Sequence, residues 1–180
     1  GKTTHIAELM QNHGKIFAFD IDIKRLELLK ENCNRLGITI VEAIEYDSRN
    51  LNAYELADRV IVDVPCTGLG VLRRRIESRW RKTPELVHSL PELQYKILES
   101  ASSCVKSGGV LVYCTCTIEP EENEQVVYRF INAHPNFKIQ NVEPFLPTQL
   151  KDALTSEGFM QTFPHLHNMD GFFVARMILE

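Results

Sequence analysis

A chain of 180 residues that is 44% hydrophobic and 24% charged is long enough to bury one sizeable core, and no apolar run in it approaches a membrane span of about 20 residues. Five cysteines, an odd number with Cys114 and Cys116 one residue apart, exclude a secreted disulfide framework and point to a reducing cytoplasm. The formal net charge of -4 conceals an asymmetry, because residues 73–82 carry six cations against Glu77 alone, a net +5 that leaves -9 for the rest.

The chain opens on Gly1-Lys2-Thr3-Thr4, which reads as the tail of a glycine-rich loop before a helix, a place suited to an anionic ligand. It has no initiator Met, and an N-terminally incomplete protein is the expectation. His5 to Asn12 has helical apolar spacing, with Gly14 as its stop. Lys15 to Asp20 reads as a buried strand. Lys24 to Leu36 places Leu26, Leu29, Cys33 and Leu36 on one stripe of a helix that Gly37 ends, so Cys33 is expected in the core. Ile38 to Ile44 and Ala57 to Val64 are the next β-branched runs.

Thr67 to Lys82 reads as a long basic loop or irregular helix. A short helical turn is expected from Thr83-Pro84 and a longer helix from Ser89-Leu90-Pro91-Glu92 to about Lys106. Gly108-Gly109 then launches the strand Val110 to Cys114. Pro120 with Glu121, Glu122 and Glu124 reads as a helix start matched to the macrodipole, running to His134-Pro135. Phe137 to Val142 and Phe172 to Ile178 are the last strands. Alternation of strand and helix predicts an α/β fold, a mostly parallel sheet with an antiparallel hairpin at its C-terminal edge.

Two short apolar runs end abruptly in small polar residues and a thiol: Asp63-Val64-Pro65-Cys66 and Val110 to Cys116. Ligands of open α/β sheets bind outside the carboxyl ends of strands, so Cys66 and Cys116 are expected to meet there, one as nucleophile and the other assisting, on a flat heterocycle. Which is the nucleophile stays open on the residues alone. Cys114 falls to the core wall. Ligand spacing for zinc is lacking, and no metal is expected. Asp20, Asp47 and Asp63 each close a strand and are candidates to hold ribose hydroxyls, an amino group of a base, and the reacting base. Arg73, Arg74, Arg75, Arg79 and Arg81 around Trp80 suit phosphate contacts and stacking on an unpaired base, the pattern of an RNA contact.

Asp63-Val-Pro-Cys-Thr-Gly, Tyr113-Cys-Thr-Cys116-Thr, Pro120-Glu-Glu-Asn and Asp170-Gly-Phe-Phe-Val-Ala-Arg together resemble the RNA cytosine-C5 methyltransferases, those of bacterial small-subunit ribosomal RNA most of all. The resemblance implies a Rossmann-like class I methyltransferase sheet whose first strand precedes Gly1. It further implies one catalytic domain over residues 1–180, S-adenosylmethionine as methyl donor, and a cytoplasmic monomer with ribosomal RNA as partner. By matched position Gly1 and Lys2 end the cofactor loop and Asp20, Asp47 and Asp63 are its acidic binding positions. Cys116 attacks C6 of cytosine, and Cys66 helps release the methylated product. Two other readings compete. One is a methyltransferase for another acceptor in which the cysteines merely pack, the other a non-catalytic RNA-binding remnant.

Overall fold

The computed structural model describes residues 1–180 except Asn52, Ala53 and Glu55 and the side chains of Ser78, Arg81 and Pro84. It comprises two compact units, residues 1–50 and 51–180.

In the first unit α1 (Lys2–Leu9) precedes β1 (Ile16–Asp20), α2 (Ile23–Leu36) and β2 (Val41–Glu45). The strands are parallel, in register from Ile16 opposite Val41 to Asp20 opposite Glu45, and α2 is their crossover. The stripe on α2 packs as its spacing requires: Leu26 and Cys33 are buried, and Cys33 joins Ala7 and Ile38 in a small core. Gly37 adopts φ 67° as the left-handed cap. α1 stops at Leu9 rather than running to Asn12, because Gln11 and Asn12 turn left-handed. The reason is a local trade of hydrogen bonds. Asn12 donates to the Gly37 carbonyl and the Thr39 hydroxyl and accepts from the Thr39 N–H. At the other end of the crossover the Asp22 carboxylate caps α2 by accepting the Lys24 N–H at 3.0 Å. Asp22→Ala is therefore expected to lower stability by about 1 kcal/mol, read from the midpoint of chemical denaturation.

The second unit contains β3 (Ala57–Asp63), α3 (Pro84–Ser102), β4 (Val105–Thr115), α4 (Glu124–Ala133), β5 (Phe137–Gln140), β6 (Met160–Thr162), α5 (Pro164–His167) and β7 (Phe172–Leu179). Its sheet runs β3-β4-β7-β5, with β6 also on β7. β3 and β4 are parallel, and every pairing of β7 is antiparallel. The expected antiparallel ending is present in a modified form: β7 inserts between β4 and β5, and β6 is an added short strand.

Leu111 and Tyr113 of β4, Ala175 and Met177 of β7, and Val127 and Phe130 of α4 are all fully buried. Aromatic edges close this layer, Tyr113 against Phe173 and Phe130 against Phe137. α3 is one helix rather than a turn and a helix, and Pro91 lies inside it. The buried face formed by Gln94, Leu98 and Ala101 carries the helix across the hydrogen bond that Pro91 cannot donate. β4 begins at Val105 instead of Val110, with a register shift opposite Ala57 and Arg59 taking up the residues around Gly108-Gly109.

Candidate active site

Parallel pairing of β3 with β4 sets Asp63 opposite Cys114, so both chains leave the sheet side by side. The Val64 N–H still reaches the Cys114 carbonyl at 3.4 Å. Two residues farther the Cys66 Sγ stands 3.2 Å from the Cys116 Sγ. The Cys116 N–H points at the Cys66 sulfur at 3.4 Å. Both thiols are half-buried, whereas Cys114 is buried, its sulfur turned to the Val62 carbonyl and the Asp63 carboxylate.

The Cys66 thiol is pushed well above its ordinary value, first by its hydrogen bond with the Cys116 sulfur, then by burial and by repulsion from a charge on Cys116. Two sulfurs this close hold one proton between them before both ionise.

Beneath the sulfurs lies a buried polar network. Glu122 is fully buried, and Pro120–Glu122 forms a 3-10 turn before α4 instead of its first turn. Its carboxylate accepts the Thr67 N–H at 2.9 Å, the Thr67 hydroxyl at 2.5 Å and the Gln94 amide at 2.8 Å. Asn123 is equally buried, accepting the Thr115 hydroxyl at 2.6 Å and donating to the Thr117 carbonyl at 3.2 Å. The Thr67 and Thr117 hydroxyls meet at 2.8 Å. One signal for this existed in the residues: Glu122 and Asn123 stand four positions before Val126 and Val127, whose stripe ends at Phe130 and faces the core.

A second device fixes the loop after Cys66. Gly70 donates to the Cys116 carbonyl at 3.1 Å and accepts the Gly171 N–H at 2.8 Å. The two glycine backbones cross so closely that a Cβ on Gly70 would lie 2.2 Å from the Gly171 carbonyl oxygen.

The basic stretch is divided by its contacts. Arg73 and Arg74 each bring Nε to 3.1 Å from a different oxygen of Asp170, so both are anchored beside Gly171. Arg75, Arg79 and Trp80 are exposed, Trp80 to 83%. Trp80 lies on the 3-10 segment Ile76–Arg81, and the Arg81 side chain is outside the described residues.

The remaining candidates belong to the first unit, Asp63 excepted. Gly1 and Lys2 begin α1, and Gly1 contributes no side-chain cap. Asp20 ends β1, accepting the Asp22 N–H at 2.9 Å, with the Arg25 guanidinium 3.6 Å away. Asp47 lies two residues beyond β2, and both its oxygens accept from Arg49, whose hydrogen bonds hold this carboxyl below the usual carboxylate range. Asp63 ends β3 with its residue exposed. Strand-end carboxylates suit ribose hydroxyls. Asp20, Asp47 and Asp63 fit that chemistry, Asp47 on releasing Arg49.

A family model described as 16S rRNA methyltransferase RsmB/F matches residues 1–178. The probable ribosomal RNA small subunit methyltransferase B of Synechocystis is 42% identical over 98% of this chain and 40% of its own length. That of Bacillus subtilis is 39% identical over 98% of this chain and 40% of its own. The chain thus spans about 40% of the length of the curated relatives it matches. Among solved structures, NSun6 from Pyrococcus horikoshii with SFG superposes with a TM-score of 0.86 at 34% identity, over 99% of this chain and 45% of that one. The fold is accordingly the α/β, Rossmann-like fold of methyltransferases, with an antiparallel C-terminal edge.

Proposed function

The chain belongs to the family of 16S rRNA methyltransferases RsmB/F, and on that footing we propose that it carries S-adenosylmethionine-dependent methylation of cytosine C5 in ribosomal RNA, through a covalent Cys116 adduct. The observation that carries the reading is the 3.2 Å approach of Cys66 and Cys116 at the carboxyl ends of adjacent parallel strands.

Chemistry gives the pair its work. C5 of cytosine is too weak a nucleophile to be methylated unaided. When the Cys116 thiolate adds to C6, the C5–C6 bond becomes enamine-like and C5 gains nucleophilicity. S-adenosylmethionine supplies a sulfonium methyl group when bound. Loss of the C5 proton to a base then re-forms the C5–C6 double bond as the S–C6 bond breaks and the thiolate leaves. Cys66, 3.2 Å from Cys116, acts at this release. The assignment of the attack to Cys116 rests on matched position.

In the first unit Gly1, Lys2, Asp20 and Asp47 are the proposed cofactor positions, and in the second Asp63. The match across residues 1–178 supports one catalytic domain. Both sulfurs come from one chain, which supports a monomer as the acting form. Among the described residues no helix is long and apolar enough to cross a membrane, in keeping with a proposed cytoplasmic site of action on RNA.

Arg73, Arg74, Arg75, Arg79, Trp80 and Arg81 are the proposed RNA contact, Arg73 and Arg74 from their Asp170 anchor. Reversing charge at Arg75 and Arg79 is expected to weaken RNA binding and to shallow the plot of log affinity against log salt by about one for each phosphate no longer neutralised. Filter binding over a salt series measures it, and an unchanged slope counts against this surface. The reaction itself is tested by trapping: RNA bearing 5-fluorocytidine, whose C5 fluorine blocks release, should form a complex that survives denaturation. An active enzyme that forms no such complex ends the cysteine mechanism.

A further inference from the structure

We infer that Glu122 and Asn123 are paired positioning residues that set the spacing of the two sulfurs, each holding a different cysteine turn. What the sulfurs do rests on the reading above; what holds them rests on geometry alone.

The contacts divide cleanly. Glu122 accepts both the N–H and the hydroxyl of Thr67, the residue after Cys66. It also accepts from the Gln94 amide, which in turn donates to the carbonyl of Pro65, the residue before Cys66, at 2.9 Å. Asn123 accepts from Thr115 and donates to Thr117, the residues on either side of Cys116. Neighbouring residues of one segment therefore bracket one thiol each. The hydroxyl contact of Thr67 with Thr117 ties the brackets together. Each clamp has its own anchor: the Tyr113 hydroxyl donates to the Glu122 carbonyl at 2.6 Å, and the Asn123 amide donates to Gln161 of β6 at 3.0 Å.

Thr67, Gln94, Thr115, Thr117, Glu122 and Asn123 are all fully buried. The groups donating to the Glu122 carboxylate are neutral, an arrangement that burial makes costly. Apolar side chains of similar volume would fill the same space. They would not orient Thr67 and the Pro65 carbonyl, and a sulfur pair at 3.2 Å needs both turns held to a few tenths of an ångström. Since, of the two cysteine turns, the Glu122 carboxylate reaches that of Cys66 and the Asn123 side chain that of Cys116, removing each should displace a different sulfur.

Two measurements on the full chain test this. The first uses ribosomal RNA carrying ordinary cytidine and follows the adduct on denaturing gels after single-turnover mixing. Glu122→Ala should form adduct within about 3-fold of the wild-type rate and keep it at least 10-fold longer, whereas Asn123→Ala should form it at least 10-fold more slowly. Glu122→Gln and Asn123→Asp, nearly isosteric, should show the same directions at smaller size and serve if the alanine chains do not fold. The second needs no RNA: diamide takes two electrons and two protons from the thiols as the Cys66–Cys116 S–S bond forms, and each variant should close that bond at least 10-fold more slowly.

Wild-type adduct with unchanged formation, lifetime and oxidation in folded variants overturns the positioning role. Impairment of the same adduct step, formation or breakdown, by both variants overturns it too. No wild-type adduct on the 5-fluorocytidine RNA, with oxidation still slowed in the variants, overturns the catalytic reading while the positioning role stands.

Discussion

Cys116→Ser is expected to abolish covalent capture of a 5-fluorocytidine RNA and to reduce methyl transfer by at least about 10^4-fold, as befits removal of a covalent nucleophile. Cys66→Ser is expected to do something different. It should capture the RNA as fast as the parent chain, release product slowly, and accumulate adduct even with ordinary cytidine. The asymmetry follows from the different roles that matched position gives two sulfurs 3.2 Å apart. Its bond to Cys116 and burial push the Cys66 thiol upward, and the attack is assigned to Cys116. Denaturing gels of both variants with both RNAs separate the two roles. Capture by Cys116→Ser and none by Cys66→Ser would reverse them.

Gly70→Ala should be the most damaging substitution that touches neither sulfur. The added Cβ would meet the Gly171 carbonyl oxygen at 2.2 Å and the Gly171 Cα at 2.8 Å. These are backbone atoms, which cannot swing aside as the end of a flexible side chain would. Relief requires separating two strands of backbone that exchange a 2.8 Å hydrogen bond, and breaking the 3.1 Å bond from Gly70 to the Cys116 carbonyl. A loss of about 2–4 kcal/mol in stability is expected, with a loss of adduct formation in whatever remains folded. Gly68→Ala is the control. Its added Cβ finds nothing nearer than Val71 at 3.6 Å, and only its φ of 70° opposes the change, at about 1 kcal/mol. Denaturation curves that leave Gly70→Ala no less stable than Gly68→Ala would dismiss the crossing as a constraint.

Much of the α/β order could be read along the chain because it rests on local regularities. The stripe from Leu26 to Cys33, the cap at Gly37 and the β-branched runs that became β1, β3 and β7 are periodic or positional signals, legible without neighbours. So were Cys66 and Cys116, each announced by an apolar run that ends in small polar residues. The misreadings share another cause. Asn12 ended α1 early through bonds to Gly37 and Thr39, residues far along the chain. Pro91 was overridden by the buried face of α3. Nor did the reading of Arg73 and Arg74 as phosphate contacts show that both meet Asp170, far along the chain.

Residue order therefore dictated which segments are strands and helices, and that two thiols leave the sheet at its carboxyl edge, since these depend on periodicity and on backbone preferences within a few residues. Three-dimensional packing joined Glu122 and Asn123 to the two cysteine turns and brought Gly70 against Gly171. It also set the two sulfurs 3.2 Å apart. Burial, close approach and shared protons arise between groups separated by tens of residues, and no local pattern encodes the distance across which such groups meet.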